Sequence, residues 1–407
     1  MQPTAILDPA QLLDKIPARS VDDIVAKLFL RAWQGQTGPQ PLGRMQMISD
    51  PAEASDLLSR PADFPKYYSF LTQLGQSRLD ANGLDWEKRR DLTQPLYRDA
   101  ARTANRANLT AAYDRWLTED AIQSGRIGRA MLAAASEVFL HALGGAVDTG
   151  PIADWLLSLR RTAILAQHVA MFDPTPAQLH ELQRRVARQR QQLRTMLSHD
   201  SALTQHMHDR LVQLDHSIDL LGEVTINLFA GTETTVASIC WALNILARRP
   251  QTQDEIASQL TQDGPDAPAL SHFIQEVMRY CPPVPLLVRT VARQGETLAG
   301  RPVAQGQMVA LSIVGLHHHS DHWTDPARFD ATRSEFVENS YHRRAYLPFS
   351  AGPRVCGGLG LARAEVAIAL GHVLRRYRIA PVATPIQYEY SLTLRPLGTS
   401  RLTFERR

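Results

Sequence analysis

The feature that most constrains this chain is the stretch Leu347-Pro-Phe-Ser-Ala-Gly-Pro-Arg-Val-Cys-Gly-Gly-Leu-Gly360. Gly352, Gly357 and Gly358 permit positive φ and close approach of the backbone to something flat or bulky, and Pro348 and Pro353 stiffen the loop. Arg354 sets a permanent cation two residues ahead of Cys356. From Leu359 to Tyr377 the apolar spacing predicts an amphipathic helix. A thiolate at a helix start is favoured by the dipole and by backbone N–H groups, which can also bond the sulfur and tune a metal bound to it. The loop is therefore either a holder for a thiolate ligand or a Gly-rich turn around an inert cysteine.

Composition narrows the class. At 407 residues with 44% apolar content the chain can bury a sizeable core; the length suggests two domains by the usual prior, but a single large fold over residues 1–407 also reaches this size. A net charge of +3 is too small to argue for nucleic acid. Three cysteines, Cys240, Cys281 and Cys356, make no disulfide framework and point to a reducing compartment. The first residues lack a basic segment followed by an apolar run, and nowhere do eighteen apolar residues run uninterrupted. Neither a signal peptide nor a membrane anchor is expected, and a soluble cytoplasmic protein is the default.

Further stretches carry chemistry. Trp86 and Arg90 lie four apart, on one face of a helix. Both are donors without acceptors, so they suit a carboxylate, or they form a cation–π packing pair. The pattern from Asp215 to Arg249 predicts the longest helix, ended by Pro250. Its middle breaks local rules: Gly231 sits in the interior, and Thr232, Glu233, Thr234 and Thr235 interrupt an apolar segment. Such violations tend to mark functional sites, though threonines bonding back to the preceding turn would also explain them. Glu276 and Arg279, at i and i+3, can pair on a helix from His272 to Tyr280. Histidines cluster from His317 to His322, but the surrounding Trp323-x-Asp325-Pro326 suits an irregular segment better than a metal site. Asp154 to Met171 and Pro176 to Leu197 read as a helix pair, a small hairpin is expected near Gly43 to Ile48 after Pro- and Gly-separated helices, and Phe64, Tyr67, Tyr68 and Phe70 form an aromatic stretch. Residues 290–312 and Tyr388 to Phe404 alternate as strands, turning at Gln305-Gly306 and at Pro396 to Thr399.

Taken in order, these motifs resemble the cytochrome P450 family in its soluble, bacterial-type form. Phe349-x-x-Gly352-x-Arg354-x-Cys356-x-Gly358 is similar to the family's haem loop, Ala230-Gly-Thr-Glu-Thr-Thr235 to its oxygen-activation motif, Glu276-x-x-Arg279 to its structural helix, and Trp86-x-x-x-Arg90 to its propionate-binding helix. The resemblance implies a mainly α fold, the helical haem-thiolate fold with small β-sheets. It implies haem b as cofactor, Cys356 as the metal ligand, and Trp86, Arg90, Arg289 and Arg354 at the propionates. Phe349 would shield the thiolate, Ala230 and Gly231 would leave room for haem and dioxygen, and Glu233 and Thr234 would relay protons.

Further implications concern the reaction and its partners. The reaction implied is insertion of one atom of O2 into an apolar small molecule such as a lipid, terpenoid or aromatic, by hydroxylation or epoxidation. Leu286, Leu287 and Val288 would line the pocket, the aromatic stretch would cover the substrate, and the helix pair would roof the site. A separate ferredoxin and ferredoxin reductase would supply electrons, docking on a basic patch of Arg98, Arg102, Arg343, Arg344 and Arg363. Oxidative coupling or desaturation on the same scaffold, and a non-catalytic haem sensor, are the alternatives. The sequence departs from the pattern at His318 and His319, where Arg and Asp often stand, and at Trp86 and Arg354, where many soluble bacterial members carry His.

Overall fold

Helix formation follows the apolar spacing, and the burial of each helix explains its composition. In Ile127–Ala142, residues Ala130, Ala133, Ala134 and Ala135 are buried along with Met131, Leu132, Val138 and Phe139. A helix apolar on nearly every side must be packed around nearly its whole circumference, and alanine keeps its neighbours close. The computed structural model describes residues 40–42, 45–68, 72–102, 105–171, 174–198, 205, 209, 218–263 and 267–407. The expected helices before residue 40, the hairpin turn at Gly43, Phe70, and the first residues of the helix expected from Asp215 lie outside them.

The chain divides into two compact units. One comprises residues 1–67, 237–356 and 369–407, the other residues 68–236 and 357–368, so the boundary falls inside the helices Leu220–Leu246 and Leu359–Arg376.

The first unit holds the β-structure. Its largest sheet runs Gln40–Leu42, Met45–Ile48, Met308–Ser312, Leu286–Thr290. Met45–Ile48 pairs in parallel with Met308–Ser312, which pairs antiparallel with Leu286–Thr290, setting Arg289 opposite Val309. Ile48, Leu57, Leu58, Phe64, Val309 and Leu347 belong to one buried cluster under this sheet. Short hairpins of two to four residues a side account for Thr297–Leu298 with Arg301–Pro302 and Tyr388–Ser391 with Thr393–Pro396. Gly306 and Gly398 have positive φ at the expected turns.

At the centre of this unit Glu276 and Arg279 are both fully buried, with hydrogen bonds of 2.7 and 2.8 Å. Arg333 completes a triad, donating to the same carboxylate at 3.0 and 3.3 Å. Arg279 also donates to the carbonyls of His317 (2.7 Å), Pro326 (3.0 Å) and Arg328 (3.1 Å), tying the helix Pro268–Tyr280 to the irregular segment that follows. The pair read from sequence is thus internal, and it has a third member.

The second unit is helical. Gly150–Met171 and Pro176–Leu197 pack side by side, joined by Trp155 Nε1 donating to the Gln189 carbonyl (3.0 Å) and Gln189 Nε2 to Ser158 Oγ (2.7 Å). Thr175 and Gln178 form a capping box at the start of the second helix.

Several boundaries differ from the sequence reading. The helix expected from Asp154 begins at Gly150, where Asp148 accepts the Gly150 N–H at 3.0 Å. The longest helix is Leu220–Leu246, and Pro250 opens the next helix, Pro250–Asp263, instead of closing this one; a proline's missing N–H costs nothing in a first turn. The helix expected from His272 likewise begins at Pro268. Leu359–Arg376 stops one residue short because Tyr377–Ile379 leaves as a strand to pair with Phe404–Arg406.

Truncating Glu276 to alanine leaves two buried guanidinium groups without their acceptor. Removal of one partner of a buried ion pair costs about 3–5 kcal/mol. The expected result is a fall of that size in unfolding free energy, followed by urea titration with far-UV circular dichroism; an unchanged midpoint would make the triad dispensable.

Candidate functional site

The first unit presents Cys356 on a loop whose shape is forced from both sides. Gly352 has φ +69°, and a Cβ there would stand 2.3 Å from the Leu58 carbonyl oxygen, so only glycine passes the end of the helix Pro51–Ser59. Ser350 also takes positive φ (63°), whereas Gly357 and Gly358 do not. The two differ in surroundings: a Cβ on Gly358 would meet nothing within 4 Å, whereas one on Gly357 would meet the Arg78 guanidinium. The Cys356 N–H donates to the Phe349 carbonyl at 2.9 Å, which closes the loop and joins two motif residues. Cys356 is exposed while Arg354 beside it is buried. No disulfide engages any of the three cysteines. Arg289, 2% exposed, lies on the strand Leu286–Thr290 and donates to the Val288 carbonyl at 2.9 Å; Leu286, Leu287 and Val288 are half-buried.

His317 anchors the head of this loop. Its Nε2 accepts the Leu347 N–H at 2.9 Å and its Nδ1 faces the Arg279 carbonyl at 3.2 Å. An accepting Nε2 puts the ring proton on Nδ1. Burial, then the Arg279 charge, push the His317 imidazole down to about 3, so it is neutral. Among the described residues no three of His, Cys, Asp or Glu could hold a metal ion.

The second unit carries the other motif residues. Within the buried stretch of Leu220–Leu246, residues Ala230, Gly231 and Thr234 are only partly covered. Spaced i, i+1 and i+4, they share one face, so the helix leaves open a strip of small side chains. A methyl on Gly231 would meet the Phe139 ring at 3.3 Å. Thr232, Thr234 and Thr235 each bond the carbonyl four residues back, at 2.7–2.8 Å, as the structural reading of these threonines expected. Glu233 is buried and accepts three hydrogen bonds from Arg160 at 2.6, 2.7 and 3.0 Å. On Gly83–Ala100, Arg90 lies 4.9 Å over the Trp86 ring and pairs with Asp91 at 2.8 Å.

Sequence reasoning missed Arg160, Arg333 and Glu365, and read His317 only as part of a histidine cluster in an irregular segment. Arg160 falls four residues after buried Leu156 and three before buried Ala163, so a charge on the apolar stripe was the available signal. Glu365, similarly placed between buried Leu361 and Ile368, accepts from the Tyr113 hydroxyl at 3.2 Å inside the second unit.

A family model for cytochrome P450 matches residues 141–400. The chain belongs to the cytochrome P450 family. Rat Cytochrome P450 4X1 is 35% identical over 192 residues, 44% of this chain and 38% of the rat protein. Human Cytochrome P450 4F11 is 31% identical over 195 residues, 44% of this chain and 37% of that protein. The match thus spans under two-fifths of either relative. Among solved structures, a cytochrome P450DA heme domain superposes with TM-score 0.72 at 20% identity, covering 94% of this chain and 93% of its own. A zebra fish cytochrome P450 solved with progesterone gives TM-score 0.72 at 20% identity, covering 93% and 99%. The fold is the mainly helical haem-thiolate fold with small β-sheets.

Membership implies a haem iron, and the donor chemistry fits it. Cys356 offers a soft sulfur donor on a loop fixed by Gly352 and the Phe349 carbonyl, a donor type that suits iron.

Burial pushes the Glu365 carboxyl up to about 8, with the Tyr113 hydrogen bond pulling the other way. The folded protein therefore keeps a proton that the unfolded chain releases near the ordinary carboxylate value. The stability this group contributes is full below that ordinary value and is lost as pH rises through about 8. Unfolding free energy should decline across this window, on the order of a few kcal/mol, and Glu365→Gln should flatten the decline. Parallel profiles for the two proteins would refute the assignment.

Proposed function

We propose that this chain is a haem-thiolate monooxygenase acting on an apolar organic molecule, with Cys356 as the protein ligand to iron. The observation that carries the reading is the loop itself: a cysteine held out at the surface of its unit by Gly352 and by the Phe349 carbonyl, with buried Arg354 two residues before it. When bound, haem supplies the iron at which dioxygen is activated. The Cys356 sulfur would hold that iron, and the buried cations Arg289 and Arg354 would hold the propionates; for Trp86 and Arg90, which form a cation–π pair with each other, a propionate role rests on the motif resemblance alone. Phe349 would shield the sulfur. Haem b, held without thioether links, suits a chain that has no Cys-x-x-Cys-His and whose other two cysteines are buried.

Proton delivery falls to Glu233 and Thr234. The Thr234 hydroxyl can turn from the Ala230 carbonyl to donate into the open strip formed with Ala230 and Gly231. The Glu233 carboxylate is clamped by Arg160, so passing a proton through it requires the helix Gly150–Met171 to yield that contact. Half-buried Leu286, Leu287 and Val288 favour an apolar substrate. Electrons come from a separate donor. Exposed Arg343 and Arg344 in one unit, and Arg98, Arg102 and Arg363 in the other, would favour an acidic protein such as a ferredoxin paired with its reductase. No helix among the described residues is long and apolar enough to cross a membrane. A cytoplasmic location suits three cysteines that form no disulfide.

Reduced protein under carbon monoxide should show the red-shifted Soret band of thiolate ligation, and Cys356→His should move the band to the imidazole position. Protein that purifies without haem, or a band abolished by Cys240→Ala instead, would sink the reading.

Thr234→Ala should retain haem and substrate binding while diverting reducing equivalents from product to peroxide. Positioned proton transfer is typically worth about 10²–10⁴-fold, and a loss of product per NADPH in that direction is expected. Unchanged coupling would leave Thr234 with its structural bond alone.

A further inference from the structure

The residue bonded to the candidate ligand is gripped from a direction that the sequence does not announce. A Cβ built on Gly357 would stand 2.7 Å from Arg78 Nη2 and 2.8 Å from Arg78 Cζ and Nη1. The guanidinium occupies the space that any side chain at this position would need. Arginine ends are ordinarily easy to displace, but this one is pinned. Its Nη1 donates to Thr93 Oγ1 at 2.9 Å and its Nη2 to Gln94 Oε1 at 2.8 Å, and it lies 5.7 Å over the Tyr97 ring. Gln94 turns its other end on the same glycine, with Nε2 donating to the Gly357 carbonyl at 3.0 Å.

The backbone of Arg78 is fixed as well. Its N–H donates to Glu223 Oε1 at 3.1 Å, and the same carboxylate accepts Arg89 Nη1 at 2.8 Å and Asn227 Nδ2 at 2.5 Å. Three residues before Arg78, a Cβ on Gly75 would stand 2.6 Å from Gly222 Cα, so the two backbones are in direct contact. A continuous chain of contacts therefore runs from the first turn of Leu220–Leu246, through Arg78 and Gln94, to Gly357, the residue that follows Cys356.

We propose that Arg78 is a positioning residue for the thiolate: with Gln94 it locks Gly357, the residue bonded to Cys356, and sets a buried positive charge against it. This rests on the reading of Cys356 as the iron ligand. A planar fork that donates to Thr93 and Gln94 while filling the space over Gly357 is a task for arginine. A cation in a low-dielectric setting acts strongly on a neighbour that gains negative charge, so Arg78 favours the reduced state of a haem bound there.

The test uses the haem-loaded protein, with midpoint potential and haem transfer to apomyoglobin as readouts. Arg78→Gln removes the charge and should keep the thiolate-type carbon monoxide band. The ferrous-to-ferric ratio at fixed potential should fall about tenfold, which for one electron is about 59 mV. Gly357→Ala should speed haem loss about tenfold, the size of one charge-assisted hydrogen bond. In an Arg78→Ala background the added methyl has room, so the double variant should lose haem no faster than Arg78→Ala alone. Gln94→Leu, should Arg78→Ala fail to accumulate, should speed haem loss with Arg78 in place. An unchanged potential in Arg78→Gln, multiplied rates in the double variant, or unchanged loss in Gln94→Leu would each overturn the proposal. A wild-type protein lacking the thiolate band would instead overturn the reading of Cys356 itself.

Discussion

The first unit depends on one buried carboxylate. Glu276 accepts both Arg279 and Arg333, and each arginine then satisfies backbone carbonyls of the irregular segment between Thr324 and Arg328. A segment without regular secondary structure has no ladder to pair all of its carbonyls. Here guanidinium groups do so, and the carboxylate balances their charge. Charges removed from water are costly unless paired and hydrogen-bonded, and this triad meets both conditions. Its reach extends further, because Arg279 also bonds the His317 carbonyl, and His317 in turn takes the Leu347 N–H at the head of the cysteine loop. The geometry of Cys356 is thus referred back to a charge cluster far from it in sequence.

The second unit is ordered by a different constraint, the close approach of backbones. Gly75 against Gly222, Gly231 against Phe139 and Gly357 against Arg78 are three places where a side chain would collide. In each, glycine's lack of a Cβ is used for proximity and not for turn formation, and only Gly75 of these has positive φ. Two buried ion pairs, Arg89 with Glu223 and Arg160 with Glu233, then fix neighbouring elements to the same long helix. That helix can carry polar groups in its interior because each is matched: threonines by the preceding turn, Glu223 and Glu233 by arginines.

Local information was legible in the residues. The cysteine loop, the helix after it, the glycine and threonines of the long helix, the Glu276–Arg279 spacing and the strand pairs around Gln305-Gly306 and Pro396–Thr399 are all encoded within a few positions of one another, where periodicity and turn chemistry act directly. Boundaries slipped where a proline could either end one helix or open the next, as at Pro250 and Pro268, because the same φ restriction serves both ends.

The sequence by itself offered the candidate thiol and the small-residue strip of the long helix, which depend on residue type at short spacing, and it carried the class of fold through the resemblance of its ordered motifs to a family. Only the tertiary structure decided what stands against them. Arg333 with Glu276, Arg160 with Glu233, His317 under Leu347 and Arg78 over Gly357 join positions 30 to 279 residues apart. An arginine reads the same in sequence whether it is solvated or buried. Its partner is chosen by which surfaces exclude water around it, and that is a property of the assembled chain.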